Sequence, residues 1–69
     1  MNLTTEDTIE FSSDGKKLKG NILKIDKENI TINLFAAQTT DKWYYFGVYN
    51  ESTFQVSDLK DIVIIAQET

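Results

Sequence analysis

Sixty-nine residues without cysteine, histidine, proline or arginine carry a net charge of -4 from seven lysines against eleven acids. A chain this short holds one domain, read as residues 1–69. The missing residue types exclude a disulfide framework, a thiol nucleophile, a Ser-His-Asp triad, a histidine general base and any metal site held by His or Cys. What can support so small a core is close packing or self-association.

Apolar residues make up 41% of the chain, the proportion of a folded domain rather than a disordered segment. Ile and Val together number eleven against five Leu, beside eight Thr and eight aromatics, a strand-forming vocabulary. The opening MNLTTEDTIEF has no basic region and no apolar run of signal length, and nowhere is there an apolar stretch long enough to span a bilayer. A cytoplasmic protein with no membrane partner and no cofactor is expected.

In chain order, Thr8 to Phe11 alternates polar and apolar and predicts a first strand, turned at Ser12 to Gly15, where Gly15 supplies positive φ. A second strand is predicted from about Lys16 to Ile25, with Leu18, Gly20 and Ile22 on one face and Lys17, Lys19 and Asn21 on the other. Ile22, Leu23 and Ile25 cannot share one face of a regular strand, so a bulge near Leu23 or a bend is expected. Asp26 to Asn29 predicts a turn, and Ile30, Ile32 and Leu34 alternate with Thr31 and Asn33 in a third strand. A loop is expected over Ala36 to Asp41, an aromatic strand over Lys42 to Tyr49, and a turn at Asn50 to Ser52 leading into a short strand from Thr53 to Val56. Ser57 to Asp61 suits one helical turn capped by Ser57 or Asp58. Ile62 to Ala66 is continuously apolar, which predicts a last strand covered on both faces.

The fold expected is therefore all-β: a small, strongly bent antiparallel barrel of five to six strands, with one short helical turn before the last strand. The spacing of Ile9, Glu10 and Phe11, then Asp14-Gly15, then LKGNILKID from Leu18 to Asp26, resembles the first sequence motif of Sm and LSm proteins, Hfq included, within the wider SH3-like class. The resemblance spans about residues 8 to 34. It implies an RNA-binding ring, in which only Asp26 and Asn29 stand near the positions where the family contacts RNA. The Arg-Gly or Lys-His element that the family carries before its last strand is replaced here by Ser57 to Asp61.

Two sets of residues are candidates for binding. Trp43, Tyr45 and Tyr49 share one face of the aromatic strand, with Tyr44, Phe46 and Val48 on the other, and one of these faces belongs to the core. The remaining face can anchor a protein or stack bases. Lys17, Lys19 and Lys27, joined by Asp26 and Asn29, form the set that would track RNA if the chain is Sm-like. The first 35 residues hold five lysines against six acids, and the rest two lysines against five acids, so the aromatic half is the acidic one. That charge and the missing arginines disfavour DNA. The carboxylate pairs Asp26 with Glu28 and Asp58 with Asp61 read as solvated turn residues, and Gly15, Gly20 and Gly47 make no phosphate-cradling loop. The expectation is a non-catalytic protein-interaction module, an accessory or regulatory factor with a protein partner. The alternatives are an Sm-like RNA-binding ring and an acidic inhibitor of a nucleic-acid-binding protein.

Overall fold

The computed structural model describes residues 3–66; the extreme ends of the expected 1–69 domain lie outside the described residues. The strands are β1 (Thr8–Ser13), β2 (Lys16–Ile25), β3 (Asn29–Thr39), β4 (Lys42–Gln55) and β5 (Lys60–Ala66), with one 3-10 turn, Val56–Asp58, just before β5. They form a single five-stranded sheet in the order β4-β3-β2-β1-β5, and every pairing in it is antiparallel. The expected all-β fold is present, at the lower strand count.

The sheet is strongly bent but not closed by hydrogen bonds, because β4 and β5 are its two edges. The bend is visible in one contact. Phe11 on β1 and Phe54 on β4 are separated by two intervening strands, a distance of about 14 Å in a flat sheet. Their rings meet edge to face at 5.3 Å and 77°. Ile9, Phe11, Ile22, Ile30, Ile32, Leu34 and Leu59 fill the concave side, and Leu18, Phe46, Phe54, Ile62 and Ile64 pack around them.

Local chemistry explains how the chain curls. Asp14 and Gly15 are the only residues between the paired Ser13 and Lys16, and both have positive φ, the combination that matches a tight turn to the twist of its strands. Between Ile22↔Ile32 and Lys24↔Thr31 the register slips, leaving Leu23 as the extra residue; Ile22 is fully buried, while Ile25, paired with buried Ile30, stays 41% exposed at the strand end. At Gly20 a Cβ would lie 2.7 Å from the Asn33 carbonyl oxygen, so the missing side chain is what lets β3 close against β2 at the bend.

Several expectations give way to longer-range pairing. Ala36 to Thr39 is not a loop but the end of β3, held between Leu18 and Lys19 of β2 and the aromatic start of β4. The turn there shrinks to Thr40 and Asp41. Asn50 to Ser52 likewise continues β4, because Leu34, Asn33 and Ile32 offer a regular ladder opposite. The 3-10 turn has no side-chain cap; the Val56 N–H donates to the Glu28 carbonyl at 2.9 Å, and buried Leu59 anchors the chain just beyond it. β5 is covered on one side only, with Val63 51% and Ile65 44% exposed. As an edge strand it has one hydrogen-bonded neighbour, β1.

Candidate binding surface

The aromatic surface is built on an irregularity centred on Phe35. Towards β2, the pairing steps from Gly20↔Leu34 to Lys19↔Ala36 and passes Phe35 by. Towards β4, it steps from Leu34↔Asn50 to Ala36↔Tyr45, so Phe46, Gly47, Val48 and Tyr49 all stand opposite Phe35 alone. This extra length bows out of β4, and Gly47 takes the positive φ (80°) that the detour requires. Phe35 stands half-buried between buried Leu34 and Ala36.

The rings then gather. Phe35 lies nearly parallel to Tyr45, 6.1 Å between centroids at 15°, and edge to face with Tyr49, 6.2 Å at 87°. With Gly47 and Val48 they line an open recess of about 320 Å³. Tyr45 and Tyr49 are 58% and 62% exposed. Lys19 and Tyr45 flank Ala36 in register, and the methyl between them leaves room for their side chains to meet: Lys19 Nζ donates to Tyr45 Oη at 3.1 Å. The same ammonium lies 4.1 Å from the centroid of half-buried Trp43 and 5.5 Å from that of Tyr45. Trp43, Tyr45 and Tyr49 therefore do belong to one surface, joined by Phe35 and Lys19.

The opposite side of the aromatic strand corrects the simple two-face picture. Only Phe46 joins the core; Tyr44 and Val48 are each 65% exposed. Val48 lies in the bowed segment, which breaks the alternation on which a core face depends, whereas Tyr44 pairs with Ala37 near the end of the hairpin. Beyond it the register places Glu51 opposite Asn33, two residues past Tyr49, and Glu10 directly opposite Lys19.

The second candidate set is not assembled in the same way. Lys17 pairs with Ser12 beside the β1–β2 turn, whereas Asp26, Lys27 and Asn29 occupy the turn at the far end of β2. In that turn Asp26 Oδ1 accepts the Lys27 N–H at 2.8 Å and the Asp26 N–H donates to the Asn29 carbonyl at 2.8 Å, so the carboxylate helps to hold its own turn. Lys19 has left the lysines for the aromatic group. Asp26, Glu28, Asp58 and Asp61 are all exposed.

No family model, curated protein or solved structure matches this chain. Function must be argued from the surface itself. Among the described residues no three potential metal ligands converge, and no helix is long and apolar enough to cross a membrane.

Phe35 is the member that reading by alternation missed. A signal for it exists: Leu34, Phe35 and Ala36 are consecutive apolar residues at the end of a regular run, the same parity break that marks Leu23.

Proposed function

We propose that this protein is a non-catalytic interaction module, an accessory or regulatory factor of the cytoplasm, that binds a protein partner through Phe35, Trp43, Tyr45 and Tyr49. The observation that carries this reading is the open recess of about 320 Å³ between Phe35, Tyr45 and Tyr49, rimmed by two tyrosines more than half exposed. Exposed aromatics in a concavity are the usual anchors of protein interfaces, since they bury large area with few torsions to freeze. A photo-crosslinking residue at position 48, compared with one at position 29 on the opposite end of β3, tests it in the native cell. Discrete adducts from position 48 that vanish with Tyr49→Ser support the module; equal labelling from both positions, or none from position 48, ends it.

A second reading, the Sm-like RNA-binding ring, is favoured by two features. Both sheet edges, β4 and β5, are unpaired, and β5 leaves Val63 and Ile65 exposed, as a strand awaiting a neighbour would. Lys19 amid Trp43 and Tyr45 also gives a charge beside a stacking surface. Light scattering across dilutions decides the ring: a mass that stays at 7.9 kDa at high concentration sinks it. Titration with oligo-U and oligo-A at low and high salt decides the RNA, and absence of binding at low salt removes it.

A further inference from the structure

We infer that the Phe35–Tyr45–Tyr49 recess receives a cationic side chain, an ammonium or guanidinium, from an extended basic segment of the partner, and that Lys19 is a resident cation competing for the same aromatic surface. The inference rests on the protein-binding reading of that surface.

Three observations carry it. The first is ring geometry. Phe35 and Tyr45 lie 15° from parallel and Tyr49 stands at 87° to Phe35, so three rings surround one open recess. Ring faces carry the negative part of the aromatic quadrupole and attract cations, more so where water is partly excluded.

The second is that this surface already holds a cation. Glu10 is the direct cross-strand neighbour of Lys19 on the same side of the sheet. The Lys19 ammonium nevertheless lies 4.1 Å from the Trp43 ring centroid and donates to Tyr45 Oη. The aromatic surface thus competes with a carboxylate for an ammonium within this molecule. Lys19 occupies the Trp43 half; the Phe35–Tyr49 half is open.

The third is charge. Beyond residue 35 two lysines face five acids, and Glu51 lies two residues past Tyr49. The net charge of -4 favours a basic segment over an anionic one, and Glu51 is the acid nearest in sequence to the recess residue Tyr49. A purely apolar anchor would fit the recess but would leave both the charge and the placement of Lys19 without consequence.

Choline and its neutral isostere 3,3-dimethyl-1-butanol are the probes, titrated into the full chain while the ring resonances of Phe35, Tyr45 and Tyr49 are followed by NMR. Choline is expected to bind about tenfold more tightly than the isostere. Tyr49→Ser should abolish the shifts, Glu51→Gln should weaken binding severalfold, and Lys19→Met should strengthen it by freeing the Trp43 face. A peptide Gly-Ser-Lys-Ser-Gly should shift the same rings more than its norleucine counterpart. Equal binding of choline and isostere, or of the two peptides, overturns the cation inference and leaves the protein-binding module standing. Weaker choline binding in Lys19→Met overturns the competitor role. If uridine monophosphate moves these rings and choline does not, the inference falls together with the module and base stacking takes its place. If no probe moves them, the inference falls, and cross-linking from position 48 still decides the module separately.

Discussion

The two ends of β3 show what the same apolar vocabulary does under different pairing. From Ile30 to Leu34 every second residue is buried with Phe11, Ile22 and Leu59; β4 stays in step throughout, and β2 slips once, at Leu23. At Phe35 the register slips on both sides at once, and beyond it Tyr44, Tyr45 and Tyr49 of β4 are exposed. In the first region hydrophobicity makes the fold; in the second it is displayed on it. A slip on both sides at the same residue, rather than on β2 alone, separates the two.

If the first region makes the fold, damage there should be severe. Phe11→Ala removes the ring that meets Phe54 across the bend and should lower stability by about 3–5 kcal/mol. That is a large share of what a chain of this size is expected to have, about 3–10 kcal/mol at roughly 0.05–0.15 kcal/mol per residue. Urea unfolding followed by Trp43 fluorescence measures it, and a loss below about 1 kcal/mol would mean that the bend does not depend on this contact. Gly20→Ala comes next. Its methyl would press on the Asn33 carbonyl, a backbone atom that cannot swing away, at a cost of about 1–3 kcal/mol. An unchanged urea midpoint would show that β2 and β3 can part there without penalty.

The same contrast decides how much could be read from the residues in order. The Asp14-Gly15 turn, the limits of β2 and the bulge at Leu23 were legible because each depends on neighbours in sequence: a pair of residues tolerant of positive φ, and a parity break. Alternation along β4 placed Trp43, Tyr45 and Tyr49 on one side, but what joins them, Phe35 and Lys19 from neighbouring strands, was not legible in it. The continuation of β3 through Ala36 to Thr39 was not, since alanine and glutamine have little strand preference and become a strand only between partners already in place. Nor was the place of Lys19 among the rings, which depends on Lys19, Ala36 and Tyr45 falling in register across three strands.

At the far end of the second region lies the β3–β4 turn, where Thr40 holds φ at 58°, a conformation that a β-branched residue resists. Thr40→Gly should raise stability by about 0.5–1 kcal/mol, the relief of left-handed strain less the added freedom of the unfolded chain. A fall in the thermal midpoint would show that the threonine side chain supports the β3–β4 hairpin in some other way.

The smallest expected effect is the most discriminating. Tyr49 is 62% exposed and meets Phe35 edge to face, so Tyr49→Ser should change stability by no more than about 0.5 kcal/mol while opening one wall of the recess. Equilibrium unfolding of this variant, set beside its crosslinking from position 48, separates two roles for the β3–β4 hairpin. If stability holds and adducts disappear, Tyr49 is displayed for a partner. If the loss approaches that of Gly20→Ala, the rings form a second small core that the fold requires, and the distinction between a region that folds and a region that binds collapses at Phe35, the one residue that both neighbouring strands leave unpaired.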